Sequence, residues 1–195
     1  MSLFSIGYAT KPLTTFIEHL HTHEITAIAD VRSVPYSAVF KEYHREPLQA
    51  ALQQAGIHYV YLGAELGPRS KLDAHYDETG QVQFARLMQS ELFLAGISRL
   101  RNGLEKDLRI AMLCACKDSA ICHRSLLVSY YLKHQCDIEV QHINHEGQLE
   151  SESELEQRLI SLQNLEADLL TANEDLAALA YERQVQQRAY RRPQD

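Results

Sequence analysis

The chain has 195 residues, 45% of them hydrophobic, and its 26 Asp and Glu against 19 Lys and Arg give a formal charge of -7. This length suffices for one well-buried core, and the acidic balance makes extended nucleic acid an unlikely partner, since that binding depends on neutralising phosphates. The first residues carry no basic leader, and no apolar run approaches the roughly 20 residues that span a bilayer, so we expect a cytoplasmic protein without membrane contact.

Strands and helices are predicted to alternate along the first 150 residues. Short apolar runs rich in β-branched residues predict strands, and apolar residues spaced three and four apart predict helices. The predicted strands cover residues 3–6, 27–31, 57–62, 108–114 and 138–143. The predicted helices cover residues 13–20, 48–55, 82–105 and 124–134, with a glycine-punctuated loop over 63–80.

The sequence changes character at residue 152, where it becomes rich in Glu, Gln, Ala and Leu. Its leucines recur in steps of three and four, which predicts a long helix or a helical pair. They are Leu155, Leu159, Leu162, Leu165, Leu169, Leu176 and Leu179. We expect residues 1–150 to form one domain and 151–195 to be its helical extension. The stripe then packs on this core or on a second subunit, which leaves a homodimer through the C-terminal helix open.

The alternation predicts an α/β fold with an open, mostly parallel sheet flanked by helices, because helical crossovers favour parallel pairing. In such sheets ligands bind outside the carboxyl ends of the strands. We therefore expect the polar side chains that follow the strands to converge. They lie in the segments 8–11, 30–33, 62–67, 114–124 and 144–146.

The segment between the fourth strand and the next helix carries three cysteines, Cys114, Cys116 and Cys122, followed by His123 and Arg124. A helix N-terminus binds anions and lowers the pKa of a thiol placed there, which favours Cys122 as a reactive thiol. Arg124 adds a permanently charged donor for an oxyanion, and His123 is a candidate proton carrier. Metal ligation and simple packing at a helix start remain alternatives for Cys122.

A second candidate element follows the second strand, where Asp30 and Arg32 stand as a charged pair at the end of a buried run. Buried charges need partners or a ligand. We predict a catalytic set of Cys122, His123, Arg124 and Asp30. The predicted substrate-binding set is Arg32, Ser33, Tyr8, Tyr36, Lys117 and Ser125. A structural ion pair between Asp30 and a basic residue is the alternative.

Three segments together resemble the domain of unknown function 488 family: IGYAT at 6–10, DVRSVPYS at 30–37, and LCACKD at 113–118 running on to CHRS at 122–125. The resemblance extends over nearly the whole chain and implies no particular substrate. The family usually has an acidic residue at the position of Cys116, and an arginine is common at that of Ala38. This chain therefore has an additional thiol beside Cys114.

The chain also has a looser likeness to rhodanese-type sulfurtransferases, which share an early Asp-Val-Arg and a later strand, cysteine loop, Arg-Ser and helix. The loop here is longer. The likeness implies a mechanism class, in which backbone N–H groups and an arginine surround an activated cysteine.

Three functions stay open on the sequence, beside a structural or interaction role of the C-terminal tail. The first is a cysteine-dependent enzyme acting on a small anionic substrate by sulfur, phosphoryl or acyl transfer. The second is a phosphate- or nucleotide-binding accessory protein without catalysis. The third is a cysteine-based metal or redox-sensing module, although the C-x-C-x5-C-H spacing is not a common zinc or iron–sulfur signature. We accordingly predict neither a bound metal nor a cofactor.

Overall fold

The computed structural model describes residues 3–166 and 173–193. Its centre is a six-stranded sheet in the order β3-β2-β4-β1-β5-β6. The strands are β1 (Leu3–Gly7), β2 (Ala27–Asp30), β3 (His58–Tyr61), β4 (Ile110–Cys114), β5 (Val140–Ile143) and β6 (Leu149–Glu150). Strands β1 to β5 are parallel, and β6 pairs antiparallel with β5. The predicted α/β class with a mostly parallel sheet is confirmed, while the short antiparallel β6 was not predicted.

Helices connect the parallel strands, as the alternating pattern predicted. The connecting helices are α1 (Leu13–Thr22), α2 (Arg45–Gln54), α3 (Gly63–Leu66), α4 (Phe84–Met88), α5 (Glu91–Leu104) and α6 (Tyr130–Cys136), while α7 (Glu152–Leu162) and α8 (Asn173–Arg188) follow β6. Two details differ from the sequence prediction. The loop predicted over 63–80 contains the one-turn helix α3, and the single helix predicted over 82–105 is divided into α4 and α5.

The division between α4 and α5 has a local cause. The hydroxyl of Ser90 accepts a hydrogen bond from the backbone N–H of Phe93 and so caps the start of α5. A serine side chain that caps a helix favours extended backbone at its own position, and Ser90 has φ -76° and ψ 141°. The apolar periodicity continues through this break, which is why periodicity alone predicted one helix.

The helix that follows the cysteine loop begins as a π-helix (Arg124–Ser129) and continues as α6. The wider turn leaves backbone groups without ordinary helical partners, and the hydroxyl of Ser129 donates to the carbonyl of Arg124 at 2.9 Å. Segments of π-helix are rare and occur frequently at functional sites. Here the segment directly follows the cysteines.

Side chains alternate between the two faces of the sheet, and each face has its own apolar cluster. Ile110 and Met112 of β4 belong to one cluster, and Ala111 and Leu113 belong to the other. The first cluster also contains residues of the π-helix, α5, α7 and α8. The second contains residues of α1 and α2.

The leucine-rich tail packs largely on the first cluster. Leu155, Leu159 and Leu176 are buried there, while Leu162 and Leu179 are exposed. Leu169 lies outside the described residues. Most of the described stripe thus contributes to the core of the same chain. Within the described ranges, no helix combines the length and the hydropathy that a membrane span requires.

Candidate functional site

The three cysteines of the loop after β4 lie close together, and we call Cys114, Cys116 and Cys122 the cysteine cluster. Their sulfur atoms all lie within 4.8 Å of one another, and those of Cys114 and Cys116 are 4.0 Å apart. Cys114 ends β4, and the short helix Ser119–Ile121 returns the chain to Cys122. Cys122 is fully buried, whereas Cys116 is partly exposed. The cysteine cluster is therefore reached from solvent on the side of Cys116.

Gly7 at the end of β1 allows the loop to approach the sheet closely. A Cβ atom at this position would lie 1.8 Å from the carbonyl oxygen of Cys116 and 3.0 Å from Nη1 of Arg124. The backbone of the loop is further fixed by Tyr8 and Ala9, whose N–H groups donate to the carbonyls of Cys114 and Ala115 at 3.1 Å each. Only a residue without a side chain fits between β1 and this loop.

His123 joins the cysteine cluster to the end of β2. Its Nε2 lies 2.9 Å from the carbonyl oxygen of Val31, and its Nδ1 lies 3.5 Å from the sulfur of Cys114. Because a carbonyl only accepts, Nε2 carries a hydrogen, and Nδ1 faces the thiol. Burial lowers the pKa of His123, but attraction to the ionised Cys114 outweighs it, so the pKa lies well above the ordinary value.

Cys114 is the thiol that its neighbours stabilise as an anion. Hydrogen bonds from the thiols of Cys116 and then Cys122, followed by attraction to His123, lower the pKa of Cys114 well below that of an ordinary thiol, although burial opposes them. The Cys116 thiol donates a hydrogen bond to Cys114, and this bond raises the pKa of Cys116. The geometry thus favours a Cys114 thiolate beside a protonated His123.

Arg124 is the largest fully buried side chain of the chain's described part, at 1% exposure. Its Nη1 donates to the carbonyl of Cys116 at 3.0 Å, and its Nε donates to the hydroxyl of Ser5 at 3.2 Å. Burial lowers its pKa, but attraction first to Cys122 and then to Cys114 raises it overall. Arg124 is therefore a permanent positive charge against the three thiols.

A hydrogen-bonded chain leads from Arg124 away from the thiols. The hydroxyl of Ser5 lies 2.7 Å from Nδ1 of His142, and Nε2 of His142 lies 3.1 Å from a carboxylate oxygen of Glu152. Arg124 can only donate, so Ser5 uses its hydrogen toward His142, which then donates to Glu152. All three residues are buried. No local sequence pattern predicted a role for these residues in the site, although a histidine inside a buried strand was a usable signal.

Asp30 and Arg32 are brought together, but on the other face of the sheet. Two carboxylate oxygens of Asp30 accept from Nε and Nη2 of Arg32 at 2.8 and 2.6 Å, and Nη1 donates to the carbonyl of Tyr43. Arg32 also lies over the ring of Tyr8. Tyr8 and Tyr43 belong to the cluster on the α1 and α2 side. The structure therefore places this pair in a network apart from Cys114.

The remaining residues of the predicted substrate-binding set are dispersed. Ser33 accepts from the N–H of Arg69, and the hydroxyl of Tyr36 donates to Glu46 on α2. Lys117 is exposed and lines a cavity of about 470 Å³ with residues that follow β5. Ser125 is buried and lines a different cavity, between the π-helix and the C-terminal helices. Of these four residues, Lys117 adjoins the cysteine cluster as the neighbour of Cys116, and the other three side chains do not form one site with it.

The base of the cysteine loop is anchored to α7 by an ion-pair network that the sequence did not reveal. Arg158 donates to Glu150 from Nε at 2.6 Å and pairs with Asp118 at 2.9 Å. The hydroxyl of Ser119 donates to Glu150 at 2.7 Å. Gln184 of α8, which is also buried, donates to the carbonyl of Ala120 at 2.6 Å. The contacts that the loop itself makes with Glu150, Arg158 and Gln184 span 31 to 64 residues of the chain, so no local pattern predicts them.

The sulfur atoms of the cysteine cluster are also spaced so that one soft metal ion could contact all three. His123 lies on the Cys114 side of the cluster, and its Nε2–H bond to a backbone carbonyl is an arrangement known from metal-binding histidines as well as from catalytic ones. The donor set alone therefore does not decide between metal and thiol chemistry.

Comparison with known families supports the resemblance found in the sequence. The family described as domain of unknown function DUF488 matches residues 12–131, which include α1 to α5, the cysteine loop and the π-helix. Neither the curated proteins nor the solved structures yield a significant match. The match covers more than half of the 195 residues. The chain therefore belongs to the DUF488 family of domains of unknown function.

Proposed function

We propose that the chain is a cysteine-dependent enzyme that performs sulfur chemistry on a small anionic substrate, with Cys114 as its thiolate. The observation that carries the proposal is the burial of Arg124 against the cysteine cluster. A guanidinium stays charged at physiological pH, and a buried charge requires a compensating partner. No carboxylate in the described ranges is bonded to Arg124. Ionised thiols are then the groups that balance it.

The proposal assigns the nucleophile to Cys114 rather than to Cys122, which the sequence favoured. Cys122 has no exposed surface, whereas Cys114 retains 4% and adjoins the partly exposed Cys116 and His123. His123 contacts Cys114 directly and supplies the neighbouring positive charge. Asp30 and Arg32 have no part in this mechanism, because their charges already pair with each other.

The closeness of a second thiol favours sulfur exchange over phosphoryl or acyl transfer. The Cys114 thiolate attacks one sulfur of a substrate disulfide, forms a mixed disulfide and expels the other half as a thiolate. The Cys116 thiol transfers its proton to that expelled thiolate. Its sulfur then attacks Cys114, closes a Cys114–Cys116 disulfide and releases the second half of the substrate as a thiolate. The 4.0 Å between the two sulfurs supports this second step. A thiol reductant then reduces the Cys114–Cys116 disulfide by the same exchange and returns the enzyme to its dithiol form.

The same proposal accounts for an anionic partner. Lys117 directly follows Cys116 and is exposed, so it places a positive charge at the side from which substrate arrives. Free thiols of this kind suit the reducing cytoplasm that we expected from the sequence. A homodimer through the C-terminal helix and the lack of extended nucleic-acid binding stay predictions.

The test is reaction of the reduced protein with 3,3′-dithiodipropionate, a small dianionic disulfide, followed by peptide mass spectrometry. We expect a Cys114–Cys116 disulfide whose rate of formation changes less than about threefold between pH 8 and pH 6, because Cys114 is already ionised. An ordinary thiol with a pKa of about 8.5 would slow by about 75-fold over this range. Cys116→Ser should trap the mixed disulfide on Cys114. The neutral 2,2′-dithiodiethanol should react more slowly.

The matched variants are His123→Gln and His134→Gln. The first removes the charge beside Cys114 and should make the pH dependence steeper than in the wild type, whereas the second changes an exposed histidine of α6 and should not. A mixed disulfide trapped on Cys122 would overturn the assignment to Cys114. Tight, stoichiometric zinc in protein purified under reducing conditions would contradict the enzyme and favour the metal module. Phosphate binding by a chain whose thiols react ordinarily would favour the accessory role.

A further inference from the structure

A second cavity, of about 480 Å³, lies between the π-helix and α6 on one side and α7 and α8 on the other. Its volume is in the range of small-molecule sites. Apolar side chains form much of its wall, namely Leu126, Leu155, Leu159 and Ala177, together with Tyr130 and Tyr181. The rings of these two tyrosines stack with centroids 3.6 Å apart. The cavity thus offers an apolar wall with aromatic faces.

Two polar groups on this wall are buried, and one of them has no hydrogen-bond partner among the described residues. Ser125 is 4% exposed, and its hydroxyl has no hydrogen-bond partner in the described part of the chain. Buried hydroxyls are nearly always bonded to protein or water. Glu152 is also buried, and one of its carboxylate oxygens accepts from His142. A ligand that donates hydrogen bonds would satisfy both groups at once.

The charges around the cavity indicate the sign of that ligand. Three carboxylates line it, those of Glu152, Glu156 and Glu174. Of the lining residues, Lys133 is the one that carries a permanent positive charge, and its ammonium is bonded to Glu156 at 2.6 Å. The charged groups that line the cavity therefore carry a net negative charge. Because a buried carboxylate without a cation is costly, a positive ligand is favoured.

We propose that this cavity binds a small primary amine with an apolar or aromatic body. Its ammonium group donates to the carboxylate of Glu152 and to the hydroxyl of Ser125, and its body packs on Leu126 and Leu155 and against the tyrosine rings. This site is separate from the cysteine cluster and holds whether or not Cys114 is reactive. The cavity is negatively charged and would bind a cation, whereas the positive charges around the cysteine cluster would attract an anion.

The test is calorimetric titration of the full-length protein with 2-phenylethylamine at pH 7, with 2-phenylethanol and 3-phenylpropionate as the neutral and anionic counterparts. We expect the amine to bind at one site and the other two to bind at least about tenfold more weakly, since a charge-assisted hydrogen bond distinguishes them. Glu152→Gln should weaken amine binding by about tenfold or more. Ser125→Ala should weaken it by several-fold.

Two further variants make the result decisive. Glu174→Gln removes an exposed carboxylate at the rim of the cavity and should weaken amine binding less than Glu152→Gln does. The glutamine in Glu152→Gln still accepts a hydrogen bond from His142, so we expect this variant to fold. Ala177→Leu fills the cavity and should abolish binding while the protein stays folded by circular dichroism. Equal affinity for the amine and the alcohol would overturn the proposed ligand class. Amine binding unchanged by Glu152→Gln and Ala177→Leu, or no binding at all, would overturn the site.

Discussion

Arg124 has a second buried cation near it, Lys11, which follows β1 and is 2% exposed. The ammonium of Lys11 has uncharged partners, Nδ1 of His19 at 3.0 Å and the carbonyl of Asn144 at 3.3 Å. Burial first, and then repulsion by Arg124, lower the pKa of Lys11 to about 8. Two cations near the carboxyl end of β1 give this end of the sheet a positive potential, which favours ionised thiols and anionic substrates.

Lys11 gives a prediction about stability and pH. Its pKa is about 8 in the folded chain against 10.5 for the free group, so between these values the unfolded chain holds more protons and the free energy of unfolding rises with pH. Replacing Lys11 by Met removes this dependence. Between pH 7 and pH 10.5 the free energy of unfolding of the wild type should rise by at most about 3 kcal/mol more than that of Lys11→Met. Urea unfolding at several pH values measures it.

The control for this experiment is Lys106→Met, which changes an exposed lysine and should leave the pH dependence of unfolding as in the wild type. Parallel stability curves for the wild type and Lys11→Met would show that the Lys11 ammonium has an ordinary pKa and would contradict the prediction.

At the scale of elements, the site depends on how closely the cysteine loop can approach β1. The loop is fixed by backbone hydrogen bonds to Tyr8 and Ala9 and by the network around Arg158. Gly7 is the point of closest approach. The positions of the thiols are therefore set by the ends of neighbouring elements and not by the loop sequence itself.

Gly7→Ala tests this dependence. The added Cβ would lie 1.8 Å from a backbone oxygen, which cannot rotate away as a side chain can, so the loop must move. We expect a loss of about 3 kcal/mol in the free energy of unfolding and faster iodoacetamide labelling of Cys116. Gly56→Ala is the control, because a Cβ added at Gly56 would meet open space while the backbone there has a φ of +74°. This substitution should lower the free energy of unfolding by about 1 kcal/mol and leave the labelling of Cys116 unchanged. Equal effects of the two substitutions would argue against close packing at Gly7.

At the scale of the whole molecule, the tail and the sheet share one core cluster. Leu155 and Leu159 of α7 and Leu176 of α8 belong to the same buried cluster as Met112 of β4. The chain from Arg124 through Ser5 and His142 to Glu152 also crosses from the π-helix through the sheet to the start of α7. We therefore expect the sheet and the C-terminal helices to unfold in one transition.

Leu159→Ala and Leu162→Ala form a matched pair on the same helix. Leu159 is 4% exposed and Leu162 is 51% exposed. The first substitution should cost about 2 to 4 kcal/mol through the cavity it leaves, and the second less than about 1 kcal/mol. In urea, circular dichroism and the labelling of buried Cys122 should report the same lowered midpoint for Leu159→Ala. Separate midpoints for the two measurements would show that the tail unfolds independently of the sheet.

The strands and most helices could be predicted because their apolar periodicities are strong and local. The cysteine loop could be placed at a strand end for the same reason, and His123 and Arg124 indeed adjoin the thiols. We placed Asp30 in one catalytic set with the thiols because both follow strand ends. The side chains of β2 alternate between the two faces of the sheet, and this alternation decides which of them can meet the thiols. Asp30 lies two residues after Ile28 and therefore shares its face, whereas Val31 lies on the opposite face.

The rest of the site depends on contacts between residues far apart in the sequence. Ser5 meets His142 across 137 positions, and Arg158 meets Asp118 across 40. Propensity and spacing carry no information about such pairs, since each residue alone is ordinary in its own element. The relative exposure of Cys114 and Cys122 likewise follows from the packing of the π-helix and not from the cysteine spacing.

The π-helix from Arg124 to Ser129 accommodates one residue more than α-helical geometry would allow over the same rise. In an α-helix each residue turns the chain by about 100°. If these six residues became α-helical with none deleted, the additional residue would rotate Arg124 by about that angle relative to α6. Arg124 would then leave the thiols although every amino-acid type in the motif was retained. The π-helical register of this segment, and not only the identity of its residues, therefore belongs to the site, and a substitution that favours α-helical geometry here would move Arg124.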